Sequence, residues 1–140
     1  MTKAWLRDWP WDIVTAINLG LCKEKNALHK PTFEGHEPAR KLWESSRLIE
    51  MPLRQALETC RRCHKLSPFC LYNGNTFAAI GRTMVQDMLR KMPPVEAQTF
   101  RSVVGHYIAG TAGDEELDRV LAELTEKFLN GIGSKPDGGC

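Results

Sequence analysis

The chain has 140 residues, 42% of them hydrophobic and 26% charged, with a formal net charge of +2. That composition excludes a disordered polymer, a collagen-like fibre and a disulfide-dense miniprotein, and no apolar run approaches the roughly 18 residues that span a bilayer. The length suits one domain with its own core, expected over residues 1–132 with a disordered polar tail at 133–140.

Apolar spacing predicts helices throughout. Pro10 opens a first helix, where its missing N–H costs nothing, and Trp11, Val14, Ile17 and Leu21 recur along it with Ile13 alongside. Residues 26–37, with His29, Pro31, Gly35 and His36, read as a loop. Pro38 starts a second helix carrying Leu42 and Trp43, and Pro52 starts a third. On the third, Leu53, Ala56, Leu57, Cys60 and His64 share one face, and Ser67-Pro68 ends it. Asn73-Gly74-Asn75 reads as a turn. Asn75 or Thr76 then caps a fourth helix through Phe77, Ile80, Met84, Met88 and Met92, stopped by Pro93-Pro94. A fifth helix runs from Val95 to Ile108 and stops at Gly110. Asp114 caps a sixth, whose stripe is Leu117, Val120, Leu121, Leu124 and Phe128. No strand pattern and no repeat is visible. The fold class expected is all-α, a single bundle of five or six short helices. Its expected core is Ile13, Ile17, Trp43, Leu57, Phe77, Ile80, Met84, Val104, Leu121 and Phe128.

Charge is uneven: residues 1–70 hold twelve Lys/Arg and eight Asp/Glu, and residues 71–140 hold seven and nine. This mild dipole can orient a partner but does not make a nucleic-acid stripe. The N-terminus lacks a basic region followed by a long apolar one, so a cytoplasmic location is the default expectation. Five cysteines (Cys22, Cys60, Cys63, Cys70, Cys140) do not form a disulfide framework by count. No Gly-x-Ser-x-Gly, phosphate loop or His-Glu-x-x-His motif is present.

One motif carries chemistry. Cys60-Arg61-Arg62-Cys63-His64 is Cys-x-x-Cys-His, the attachment pattern of covalent haem. Two thiols add to the porphyrin vinyl groups, and the adjacent His becomes the proximal iron ligand. Met92, just before Pro93-Pro94, is a candidate distal ligand, with Met88 one turn earlier on the same face.

Residues 53–109 resemble a small c-type cytochrome on these features: a helix leading into the motif, a polar loop with Pro68 and Asn73-Gly74, the Thr76–Arg82 segment, Lys91-Met92-Pro93-Pro94, and a helix ending near Tyr107. The resemblance implies a soluble electron-transfer protein carrying haem c. Cys60 and Cys63 would form thioethers, His64 and Met92 would bind iron, and Phe69, Phe77, Ile80 and Tyr107 would wall the porphyrin. Arg61, Arg62 and Lys65 would face an acidic redox partner. Haem attachment of this kind implies an exported mature form.

Other readings stay open. Cys60, Cys63, His64 and Cys70 are four nitrogen or sulfur donors within eleven residues, a possible structural zinc or thiolate site. Thiol exchange is poorly placed, because the pair lies inside a helix and away from its N-terminus. Cys60 can also be plain core, since cysteine is often buried. The function alternative to the haem carrier is a non-catalytic cytosolic helical interaction or regulatory protein, with or without zinc, binding a protein partner. Met84, Met88 and Met92 read first as packing, as do Trp5, Trp9 and Trp11, and His29 and His36 with Glu34 and Glu37 read first as a solvated loop.

Overall fold

The computed structural model describes residues 2–129, with side chains described through residue 127. It is a helical bundle of α1 (Trp11–Glu24), α2 (His36–Ser46), α3 (Leu53–Lys65), α4 (Asn73–Met84), α5 (Gln86–Arg90), α6 (Pro94–Ala109) and α7 (Asp114–Leu124), followed by a π-helical turn at Thr125–Leu129. The all-α expectation holds. A two-residue ladder, β1 (Thr2–Lys3) antiparallel to β2 (Met51–Pro52), is an addition too short for an alternation pattern to reveal. No helix among the described residues is long and apolar enough to cross a membrane. The expected 133–140 tail falls outside the described residues, and the core placement of Phe128 outside the described side chains.

α4 and α6 form the central pair, with α3 packed on both, α1 on α4 and α7 on α6. Gly81 permits that close approach, because a β-carbon there would stand 2.2 Å from Ile108 Cδ1. Trp43, Leu57, Phe77, Ile80 and Val104 are fully buried, as the apolar spacing predicts. Ile17, Met84 and Leu121 pack on this core while remaining partly exposed. Trp5 and Trp9 also pack on it, and Trp43 Nε1 donates to the Trp9 carbonyl at 2.7 Å, tying the N-terminal segment to α2.

Three local expectations are corrected. Ile13 is 42% exposed, because α1 turns Trp11, Val14, Asn18 and Cys22 inward instead. Asn73-Gly74 is the first turn of α4 and not a free turn; the chain enters it through Tyr72 in the left-handed region at φ 61°. The fourth helix breaks at Val85, a buried residue at φ −94°, ψ 2°, which gives α4 and α5 separate axes. That break accounts for seven α-helices among the described residues where five or six are predicted. Met84, Met88 and Met92 nevertheless all pack against the core.

Arg54 joins α3 to α7. Its guanidinium donates to Asp118 Oδ1 at 2.7 Å, Asp114 Oδ1 at 2.9 Å and the Tyr107 hydroxyl at 2.8 Å. Arg54 holds the Asp114 carboxyl below the usual carboxylate range, helped by Tyr107. A depressed folded-state pKa contributes stability above the unfolded value of about 3.9 that is lost as pH falls through the folded value. Asp114→Asn is therefore expected to flatten the acid limb of the stability profile below about pH 4, measured by urea unfolding across pH. An unchanged acid limb would mean the carboxylate does not act through Arg54.

Candidate functional site

The Cys-x-x-Cys-His helix is amphipathic, and its thiols belong to the inward stripe. Leu53, Ala56, Leu57, Cys60 and Cys63 are all buried on α3, at spacings of three and four that align on one face. Cys60 and Cys63 both have zero exposure within the hydrophobic core. Cys63 Sγ lies 3.7 Å from the Ala39 carbonyl on α2. Burial pushes the Cys63 thiol up to about 12 and Cys60 well above its ordinary value, Cys63 adding to the latter.

His64 lies half-buried at the edge of the stripe. Its Nδ1 is 2.9 Å from the Ile108 carbonyl near the end of α6, so Nδ1 carries the proton and donates. Its Nε2 faces Gly74 at the start of α4, 3.4 Å from where a β-carbon would stand. The imidazole thus joins α3, α4 and α6.

The residues of the expected haem wall separate into two places. Phe69 and Phe77 join a tryptophan cluster: Phe69 stacks on Trp11 at 5.8 Å between centroids, and Phe77 meets Trp43 at 5.6 Å. Tyr107 is buried, but it is bound by Arg54 through its hydroxyl and covered by the Arg61 guanidinium 4.6 Å from the ring centroid. Met88 lies on α5 and Met92 in the turn after it. Thioether formation needs both sulfurs to open on a porphyrin-sized slot, and here both are enclosed by packed side chains. The residues present do not fit haem in this packing.

Zinc fares no better. Cys70 is exposed on a loop whose backbone N–H donates to the Lys30 carbonyl at 2.9 Å, while Cys60 and Cys63 lie in the core. Among the described residues no three His, Cys, Asp or Glu side chains converge as a metal set. The loop histidines do not form one with Glu34 and Glu37; they are used in packing and hydrogen bonding.

The polar network that does form was not visible as a sequence motif. Asn18, fully buried, donates through Nδ2 to the Leu71 carbonyl at 2.8 Å and to Thr76 Oγ1 at 3.0 Å. Its Oδ1 must then accept, so His29 Nδ1 donates to it at 2.8 Å. His36 Nε2 accepts from Trp11 Nε1 at 3.2 Å, and His29 and His36 flank Phe69. Asn73 holds the Phe69 backbone from both sides, accepting its N–H at 2.9 Å and donating to its carbonyl at 2.7 Å.

Around this network two loops pair. Pro31 bridges Phe69 in antiparallel fashion, Thr32 N–H donates to the Pro68 carbonyl at 2.9 Å, and Thr32 Oγ1 donates to the Ser67 carbonyl at 2.6 Å. The paired loops carry exposed Leu28, Phe33, Leu66 and Leu71. No alternation in residues 28–35 or 66–71 signals the pairing, which joins loops more than thirty residues apart and is tertiary. Comparison with known proteins finds no matching family model, curated protein or solved structure.

The buried thiols yield a direct test. With the thiolate as the reactive form, native protein at pH 8 is expected to alkylate at Cys70 and to leave Cys60 and Cys63 unmodified until denaturant is added. Peptide-resolved mass spectrometry reads this out. Rapid native labelling of Cys60 or Cys63 would contradict the packing described.

Proposed function

We propose that the protein is a non-catalytic helical interaction module that docks on a protein partner through the paired loops 28–35 and 66–71. The observation that supports this reading is Phe33. It is 100% exposed, yet its loop is pinned by Thr32 to Pro68 and Ser67 and by the Gly35 N–H donating to Thr32 Oγ1 at 3.2 Å. A phenylalanine held in water by an ordered backbone forgoes about 1.5–3 kcal/mol of burial, which a partner surface would return. Leu28, Leu66 and Leu71 extend the apolar area. Exposed Lys30, Arg62 and Lys65 lie on the same two loops or at the end of α3. The partner that fits is a protein with an apolar pocket and an acidic rim, steered by these cations.

The haem electron carrier remains the competing proposal from the motif, and the enclosed thiols weigh against it. An absorbance scan after expression with haem-maturation machinery separates the two: a Soret band that survives acid–acetone extraction supports the carrier and defeats the module. For the module, photocrosslinking from position 33 in source cells should trap a defined protein. Phe33→Asp with Leu66→Asp should abolish co-purification of that protein, whereas Val95→Asp, another exposed apolar position, should retain it. Equal retention by both variants, each with a native circular dichroism spectrum, would defeat the reading.

A further inference from the structure

Away from the paired loops, a groove of about 420 Å³ lies between α4, α5 and α6, lined by Arg82, Thr83, Gln86, Leu89, Arg90 and Arg101 among others, with no acidic residue in its wall among the described residues. Arg82 leaves the last turn of α4 and lays its guanidinium on α6 at Gly105, where a β-carbon would stand 2.2 Å from Nη2. Arg101 lies one turn earlier on α6. Arg82 Nε is buried and has no hydrogen-bond partner. Among the described residues neither Arg82 nor Arg101 forms an ion pair, whereas Arg90 is taken by Asp87 at 2.8 Å. Burial first, and then repulsion from Arg101, pull Arg82 below its ordinary pKa, and both arginines line the groove.

An anion between two such guanidinium groups relieves their repulsion. Guanidinium groups match phosphate oxygens with two parallel donors, and two of them balance a dianion where a carboxylate would balance only one. Thr83 and Gln86 add neutral polar groups, Leu89 and Ala79 an apolar wall, and the volume suits a small molecule. We propose that the α4–α5–α6 groove binds a small organic phosphate monoester, its phosphate held between Arg82 and Arg101 and its organic part against Leu89 and Ala79. This site is independent of the paired loops, so either reading can fail without the other.

The test titrates the full chain with inorganic phosphate and with phenyl phosphate at constant ionic strength, against chloride, by calorimetry and thermal melting. Both phosphates are expected to raise the melting temperature beyond chloride, and the ester to bind more tightly. Arg101→Gln should weaken ester binding about tenfold or more, while leaving the ligand-free protein as stable as, or more stable than, the parent. Gly105→Ala, which displaces the Arg82 guanidinium, should weaken binding without loss of helix. Arg119→Gln, an exposed arginine on α7, should bind as the parent does. Absence of stabilisation by either phosphate overturns the proposal. So does an ester that binds no better than inorganic phosphate, an Arg101→Gln variant that binds normally, or an Arg119→Gln variant that loses as much as Arg101→Gln.

Discussion

Gly35→Ala is expected to destabilise the protein by about 3 kcal/mol, at the upper end of overpacking costs. The reason is not backbone conformation, since Gly35 sits at φ −96°, ψ −26°, which any residue adopts. It is contact: an added β-carbon would stand 2.0 Å from the Leu66 carbonyl oxygen and 2.5 Å from that of Ser67. Both obstacles are main chain, so no rotamer change relieves them, and the loop after α3 must move away from the start of α2. That movement also strains the Thr32 hydrogen bonds to Ser67 and Pro68. Gly20→Ala is the contrast. Gly20 lies inside α1 with nothing within 4 Å of its β-carbon position, so alanine there should stabilise by about 0.5–1 kcal/mol through helix propensity. Urea unfolding midpoints measure both. A Gly35→Ala midpoint equal to that of the parent would disprove the close loop contact.

Asn18→Ala is expected to cost about 3 kcal/mol, because it orphans a carbonyl, a hydroxyl acceptor site and an imidazole donor at a buried position, each worth about 1–3 kcal/mol when left unmade. Some of that is recovered where His29 reaches water. Asn18→Leu separates hydrogen bonding from packing. A volume-conserving apolar swap in a simple core costs less than about 1.5 kcal/mol, so a comparable loss for Leu and Ala identifies the network as the cause. Amide exchange at Thr76 should accelerate in both variants, since the hydroxyl it sits beside loses its Asn18 partner. A Leu variant as stable as the parent would show that the network contributes only specificity.

The residues of the site expectation lie apart for a reason visible in α3 itself. Cys-x-x-Cys-His is a statement about spacing, and spacing of three and four serves a ligand or a core stripe equally well. Leu53, Ala56 and Leu57 precede the motif on the same face, so the thiols continue a stripe already facing inward. His64, at the edge of that stripe, finds the Ile108 carbonyl 44 residues away. No local pattern encodes that distance. The same holds for Arg82, whose guanidinium lies on α6 where Gly105 has no β-carbon to displace it.

What the amino-acid sequence determined by itself was local: helices where apolar residues recur at three and four, stops at Ser67-Pro68, Pro93-Pro94 and Gly110, and the burial of Trp43, Leu57, Phe77, Ile80 and Val104. These depend on backbone sterics and on the removal of apolar surface from water, both of which act over a few residues. The tertiary structure decided which face of α1 turns inward, where buried Asn18 finds partners in residues 29, 71 and 76. It also decided that Val85 breaks a continuous apolar helix, that two distant loops pair and leave Phe33 in water, and that two arginines line one groove. Hydrogen-bond satisfaction and charge pairing are long-range conditions, met only once the helices are assembled.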